Sequence, residues 1–310
     1  MNVFNGVPNR RLTACAILAL FSCMTAQAEE TGTTAATPTV EAAPAADAAA
    51  PAAAAPAVAE AAPVSPWSFN VTLASQYVTR GFSNSKGEPV IQGGVDYVHP
   101  SGFNVGFWMS TLSDKFVQGS WAETDYYAGY TKAFGDLNVG AQIYYYIYPN
   151  GKFVFDGSVK GQSYNYGEFV PTLNYKWFTA KYWYTYTRDY FGVNDATMFT
   201  TGRGHSRGSG YLDLNTNFDL GHGYALQAHY GHQKVENYER INWSDGKIGI
   251  TKSFDGGWTA GVAASKVWSR TTDNIYGAGY TFDWAKYNAT GKDQFNPITD
   301  TVIFSVTKVF

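Results

Sequence analysis

The sequence predicts an all-β protein, a transmembrane antiparallel up-and-down β-barrel of about twelve strands. Three observations carry this prediction. Apolar and polar residues alternate with period two after Trp67, the alternating runs are about ten residues long, and the connections between them are alternately short and long. About ten residues is the length that a tilted strand needs to cross a bilayer.

The composition fits a protein whose outer surface faces lipid. Aromatic residues make up 17% of the 310 residues and charged residues only 15%, against about 25% charged residues in soluble domains. The mean hydropathy of -0.24 excludes a bundle of membrane-spanning helices. A net charge of -3 argues against nucleic-acid binding, which needs a clustered basic surface.

Residues 1–28 are predicted to be a signal peptide. Arg10 and Arg11 precede the apolar run Leu12–Ala26, and an A-x-A site predicts cleavage after Ala28. The alternatives are a membrane anchor, for which the run is short, and a lipoprotein box that would place a lipid on Cys23. In each case the chain is exported.

Residues 29–65 are almost entirely Ala, Pro, Thr and Glu, which predicts a disordered Ala/Pro-rich linker. The linker is either a spacer or a periplasmic arm that touches the cell wall or a partner. Both cysteines, Cys15 and Cys23, precede the predicted cleavage site. Disulfides, Cys-ligated metals and thiol nucleophiles are therefore excluded from the mature chain. The predicted barrel follows the linker and occupies residues 66–310.

Each barrel strand is predicted from a run with period-two alternation. In the first run, Trp67, Phe69 and Tyr77 are expected to face lipid, opposite Ser68 and Asn70. In chain order the predicted strands are 67–79, 89–98, 102–112, 122–134, 137–148, 165–177, 178–188, 209–220, 223–233, 244–254, 257–268 and 299–310.

The predicted connections differ in length at the two ends of the barrel. Short turns are expected near 99–102, 135–136, 177–178, 221–223 and 255–257. Longer loops are expected at 80–88, 113–121, 149–164, 189–208, 234–243 and 269–298. Short periplasmic turns and long extracellular loops are typical of outer-membrane barrels, whose closure removes the unpaired sheet edges that lipid does not tolerate.

The pattern Thr-Lys-x-Phe occurs at 131–134, 251–254 and 307–310, in each case at the end of a strand that runs toward the periplasm. The predicted membrane-interface anchors are Lys132, Phe134, Lys252, Phe254, Lys308 and Phe310. A lysine at this level can extend its ammonium to the lipid headgroups. Phe310 also provides the terminal phenylalanine usual in chains that the barrel assembly machinery delivers to the outer membrane.

Several stretches resemble one known family. They are SQYVTRGFSNSKGEPVIQGGVDYVHPSGFNVGFWMS (75–110), YYYIYP (144–149), YNYGEF (164–169), AKYWYTYTRDYFG (180–192), GYLDLNTNFDL (210–220), AHYGHQ (228–233) and the closing SVTKVF. Through them, residues 67–310 resemble the TorF-type porin family, also called the Gcw_chp family. The resemblance implies an outer-membrane barrel of a Gram-negative proteobacterium, and it brings no known substrate.

The inward face of the strands is predicted to be narrow, aromatic and of mixed charge. The predicted pore residues are Arg80, Gln92, Asp96, Trp108, Asp125, Tyr144, Tyr146, Glu168, Lys181, Trp183, Asp213, Asn215, His229 and Lys247. Their charges either pair across the lumen or line a solvated path that orients a small polar solute. For Arg80, we expect pairing with Asp96 or binding of an anionic solute at the outer rim.

Three functions remain open at this stage. A channel for small hydrophilic solutes is favoured over a plugged barrel that acts through its extracellular loops. An enzyme at the outer rim is disfavoured, because the adjacent His205 and Ser206 show no partner in the sequence and lie in a Gly-rich loop. We predict no enzyme activity, cofactor or metal site; the expected partners are outer-membrane lipid, the assembly machinery and a small polar solute. A monomer and a mild cation preference are also expected.

Overall fold

The structure, a computed structural model, describes residues 65–153, 161–198, 201–269 and 300–310. The predicted signal peptide, the linker apart from Ser65, and most of the predicted loop 269–298 lie outside these residues. Within the described ranges, no helix is long and apolar enough to span a membrane.

Twelve antiparallel strands form a closed barrel, which confirms the predicted fold class. The strands are β1 (Trp67–Ala74), β2 (Val90–Val98), β3 (Phe103–Thr111), β4 (Ala122–Phe134), β5 (Leu137–Ile147), β6 (Tyr166–Tyr175), β7 (Phe178–Thr185), β8 (Gly210–Gly221), β9 (Tyr224–Lys234), β10 (Trp243–Phe254), β11 (Trp258–Ser269) and β12 (Thr301–Val309). Each strand pairs with its sequence neighbours, and β12 pairs with β1 to close the ring.

The two ends of the barrel differ in the length of their connections. At one end, called the turn end, the strands are joined by residues 99–102, 135–136, 176–177, 222–223 and 255–257. At the other end, called the loop end, the connections are longer. They carry two small ribbons, Val78–Thr79 with Phe82–Ser83 and Lys152–Phe153 with Gln162–Ser163, and a 3-10 helix, Glu239–Ile241.

Alternate side chains of the strands point outward and inward. Large apolar residues such as Ile91, Phe103 and Phe304 are about 60% exposed on the outer surface. Trp108 and Ser110 of β3 point inward and are buried. An apolar outer wall around a polar interior is the arrangement that a bilayer requires of a barrel.

The prediction for the first strand was wrong at its loop end. β1 ends at Ala74 rather than at residue 79, and residues 75–88 then turn into the lumen. Tyr77, expected on the lipid-facing side, is only 1% exposed because it lies inside the barrel. We call residues 75–88 the inward segment.

Candidate functional site

The inward segment places a tight hairpin inside the barrel. Thr79 and Phe82 pair across the two-residue turn Arg80–Gly81, whose φ angles are 48° and 80°. Two-residue hairpin turns with two positive φ values match the right-handed twist of the flanking strands. A Cβ on Gly81 would lie 2.3 Å from Val267 Cγ2 and 2.7 Å from Asp245 Cβ, so only glycine fits there without a shift of β10 or β11.

Arg80, at the tip of this hairpin, forms a buried ion pair with Glu168 of β6. Its Nη2 donates to Glu168 Oε2 at 2.6 Å, and its Nη1 donates to Oε1 at 3.2 Å. Nη1 also donates to Gln233 Oε1 at 2.8 Å. A bidentate pair of this kind fixes the geometry of the guanidinium as well as its charge.

Aromatic rings surround the Arg80 guanidinium. Its Cζ lies 4.6 Å from the ring centroid of Tyr211, 5.5 Å from that of Trp183 and 5.7 Å from that of Tyr190. These distances are within the range of cation–π attraction, which is stronger where water is excluded. Burial raises the pKa of Tyr190 to about 12, so its phenol stays neutral beside the cation.

The contacts of Arg80 lie on the wall opposite the strand that delivers it. In a ring of twelve strands, β7 is six strands away from β1 in either direction. Glu168 is on β6, Trp183 on β7 and Tyr211 on β8. The Trp243 indole of β10 donates to the Arg80 carbonyl at 2.9 Å. The Arg80 side chain therefore reaches the far side of the lumen, whereas the backbone of the hairpin tip lies against β10 and β11.

Tyr77 holds the inward segment to a second part of the wall. Its hydroxyl donates to Glu123 Oε2 of β4 at 2.8 Å, and Tyr148 donates to Oε1 of the same carboxylate at 3.0 Å. Burial and the nearby carboxylates raise the pKa of the Tyr77 phenol, which therefore remains a hydrogen-bond donor. Gln76 adds a hydrogen bond to Thr301 of β12.

A separate polar network lies on β7 to β10. His229 is 3.2 Å from Asp213 Oδ1 through Nδ1 and 2.9 Å from Asp245 Oδ2 through Nε2. Tyr211 donates to Asp245 Oδ1 at 3.0 Å, and the Trp183 indole donates to Asp213 Oδ2 at 3.1 Å. Because a carboxylate lies beside each ring nitrogen, the orientation of the imidazole is fixed.

A cavity of about 120 Å³ remains between the inward segment and the wall. Thr79, Arg80 and Phe82 of the segment form one side of it. The opposite side is formed by Glu123, Asp125, Tyr144, Tyr146 and Trp183, together with other aromatic residues of the wall and loops. The lumen at this level is thus nearly filled by side chains, and what remains is small, largely aromatic and bordered by carboxylates.

The predicted pore residues are found inside the barrel or at the tip of the inward segment. All except Asn215 and Lys247, which are half-buried, are buried. Their role in lining a solute path stays a prediction. The expected partner of Arg80 was wrong: Arg80 pairs with Glu168, whereas Asp96 accepts a hydrogen bond from Tyr127 at 2.5 Å. Asp96 is on β2, next to β1, and the hairpin carries Arg80 away from that wall.

Several residues that take part in these networks were missing from the sequence-based set, among them Gln233, Asp245 and Tyr190. Gln233 and Asp245 lie in period two with His229 and Lys247, so strict alternation along β9 and β10 could have indicated them. Tyr190 lies in a loop, where no periodic pattern specifies which residue turns inward.

The pair His205 and Ser206 does not form a catalytic arrangement. Contrary to expectation, His205 has an orienting carboxylate, Asp189 Oδ1 at 2.7 Å from Nδ1. However, the Ser206 hydroxyl is buried, donates to the Val193 carbonyl at 2.6 Å and accepts from the Tyr190 amide at 2.8 Å. A nucleophile needs a free path to substrate and a bond to its base, and Ser206 has neither here. No group of three metal-ligating side chains occurs in the described ranges.

The repeated Thr-Lys-x-Phe pattern lies at the turn end. Phe134, Phe254 and Phe310 are more than half exposed on the outer surface. Lys308 Nζ lies 5.6 Å from the Trp258 ring centroid and 5.0 Å from that of Phe310, and it donates to the Gly256 carbonyl of the adjacent turn. The lysine thus extends along the aromatic surface toward the barrel end.

Comparisons with known proteins indicate a family and give a weak structural likeness. Residues 59–302 match a bacterial family described as "Bacterial protein of unknown function (Gcw_chp)". That description does not include the TorF-type or porin designation that the sequence resemblance suggested. A comparison with curated proteins finds no match.

Among solved structures, the chain is similar to "KdgM porin", at 12% identity and a TM-score of 0.45, over 78% of this chain and 99% of that one. It is also similar to the outer membrane protein OpdK from Pseudomonas aeruginosa, at 12% identity and a TM-score of 0.35, over 72% of this chain and 58% of that one. Because both TM-scores are below 0.5, no conclusion about this chain is drawn from these similarities. The fold assignment rests on the strand pairing.

Proposed function

This chain belongs to the Gcw_chp family, and we propose that it forms a narrow, porin-like channel in the outer membrane for the passive diffusion of small hydrophilic solutes. The observation that carries the proposal is the closed barrel with an apolar outer wall and a polar, charged interior. Charged side chains that face inward, among them Asp125, Lys181 and Asp213, support a solvated path through the lumen. The TorF-type porin designation belongs to this proposal.

The same proposal includes the route to the membrane. The predicted signal peptide exports the chain, cleavage after Ala28 leaves the linker at the N-terminus of the mature chain, and Phe310 engages the barrel assembly machinery. The exposed Phe and Lys residues at the turn end support a position at the periplasmic lipid boundary. The barrel acts as a monomer.

The inward segment sets the permeability of this channel. It occupies the lumen at the loop end, so a solute must pass beside Arg80 and the carboxylates of Glu123 and Asp125. Arg80 is neutralised by Glu168, whereas the described residues place no salt-bridge partner on Glu123 or Asp125. The uncompensated carboxylates support a mild preference for cations.

One observation favours a second function, a plugged barrel that acts through its extracellular loops. The Arg80 side chain reaches the opposite wall and is held there by a bidentate ion pair, and an indole of β10 holds the backbone of the hairpin. If this state is permanent, the lumen serves as a rigid core for the loops.

Single-channel current across a planar bilayer distinguishes the two functions. We expect the mature chain, residues 29–310, to give discrete current steps that scale with salt concentration, and reversal potentials under a salt gradient that indicate cation preference. Anion preference would contradict the charge argument. A correctly inserted barrel that stays silent, including after Arg80→Ala, would favour the plugged barrel.

A further inference from the structure

The cavity beside the inward segment is lined by a carboxylate with one oxygen that no described residue hydrogen-bonds. Asp125 is 5% exposed and lines the cavity, and its Oδ1 has no hydrogen-bond partner among the described residues. A buried charge or polar atom without a partner is costly, so such groups usually mark a missing ligand, ion or water.

The neighbouring acids are satisfied, which leaves Asp125 as the exception. Glu168 pairs with Arg80, and Glu123 accepts hydrogen bonds from two tyrosines. The described residues that line the cavity include one cation, Arg80, and three carboxylates, Glu123, Asp125 and Asp213. Arg80 pairs with Glu168 and Asp213 with His229, so a bound cation would offset the charge of Asp125.

The cavity wall is suited to an organic cation rather than to a bare metal ion. Tyr144 and Trp183 have ring centroids 5.1 Å apart, and Tyr146 stacks on Tyr144 at 6.1 Å, so three rings form one continuous surface beside Asp125. Aromatic faces attract ammonium groups, and Arg80 already uses Trp183 in this way. The described residues offer no group of three metal-ligating side chains.

The size of the cavity limits the ligand. A volume of about 120 Å³ is close to the roughly 150 Å³ apolar cavity that holds a benzene ring. A ligand of a few non-hydrogen atoms, such as an alkylammonium or a choline headgroup, fits this volume.

We propose that the lumen contains a binding site for a small organic ammonium ion, formed by the Asp125 carboxylate and the aromatic wall of Tyr144, Tyr146 and Trp183. The inference deepens the proposed channel function, since it names a solute class that would be retained at the constriction. It does not require ion conduction, because a closed barrel could hold the same ligand.

Isothermal titration calorimetry tests the site on the detergent-refolded 29–310 chain. The probes are choline and its neutral isostere, in which carbon replaces nitrogen. We expect saturable binding of choline and none of the isostere. Asp125→Asn should weaken choline binding at least about tenfold, because a charge-assisted contact is lost. Asp136→Asn, in an exposed turn, removes the same charge and should leave binding unchanged.

A second pair of variants tests the aromatic wall. The Tyr144 hydroxyl donates to Gln142, so Tyr144→Phe keeps the ring surface and should retain binding. Tyr144→Leu removes the ring and should weaken binding roughly three- to tenfold. Equal binding by the two variants would contradict the aromatic part of the site.

Two outcomes would overturn the proposal. Choline binding that Asp125→Asn leaves intact places the ligand elsewhere. No binding by the unmodified protein removes the site altogether; the indole N–H of Trp108, the cross-strand neighbour of Asp125, also lacks a partner and would then satisfy the carboxylate itself. Current steps without choline binding would leave the channel function standing, and binding without current steps would leave the site standing.

Discussion

The two ends of the lumen are built from the same twelve strands but from different side chains. Toward the loop end the inward positions carry large or charged residues, which include Tyr146, Glu168, Trp183 and Tyr211. Toward the turn end the same strands carry smaller ones, which include Asn138, Gly140, Thr172, Thr179 and Asn217. The lumen therefore narrows toward the loop end, and in the proposed channel selectivity and closure would belong to that end.

The largest effect is expected from Arg80→Ala at the loop end. The substitution leaves the fully buried Glu168 without its cation, which should lower the free energy of unfolding by about 3–5 kcal/mol. It should also raise the single-channel current, because the hairpin loses its attachment to the far wall. Denaturant unfolding and planar-bilayer recordings measure the two effects.

A matched double variant distinguishes the loss of the Arg80–Glu168 ion pair from the cost of leaving the Glu168 carboxylate buried without a cation. Arg80→Met with Glu168→Gln should recover much of the stability while keeping the higher current. If the single and double variants are equally unstable, the buried carboxylate is not the cause.

The next effect is expected at Gly81. Gly81→Ala strains a backbone at φ 80° and forces a Cβ against Val267 and Asp245. Gly87→Ala, in the same segment at φ 74°, meets nothing within 4 Å and is the matched control. Gly81→Ala should cost about 1–3 kcal/mol more than the control, the usual cost of overpacking. Equal thermal unfolding of the two variants would mean that the hairpin does not contact β10 and β11.

Side-chain truncations at the two ends of the lumen should change the single-channel current by different amounts. Trp183→Ala at the loop end should raise the current roughly twofold, because the narrowest section sets the resistance of a pore. Asn217→Ala at the turn end should change it little. A larger increase for Asn217→Ala would place the constriction at the turn end and reverse the comparison.

The smallest effect is expected at the outer surface of the turn end. Lys308→Ala removes contacts to the Trp258 and Phe310 rings and should lower the free energy of unfolding by less than about 1 kcal/mol, since exposed cation–π pairs contribute little. Lys132→Ala, in the same repeated pattern, should behave alike. Unfolding in lipid vesicles measures both.

The strands were predictable because each one alternates between lipid and lumen over its full length. Arg80–Gly81 lies where that periodicity stops, and Gly81 permits the turn, but the sequence does not indicate which way the chain turns. Arg80 meets Glu168, 88 residues away, only because barrel closure brings β6, five strands along the ring, across the lumen from β1. Contacts across a closed ring depend on the number of strands, and local patterns predict only contacts between neighbours.

The hairpin that crosses from β1 to the far wall also has a mechanical consequence. A ring of strands without a crossing element can flatten into an ellipse under lateral pressure from the membrane. A strut across the lumen, fixed by the Arg80 ion pair at one end and by the end of β1 at the other, resists a change of the distance between the two walls. The barrel should thus respond to membrane tension along one axis, with the inward segment carrying the load.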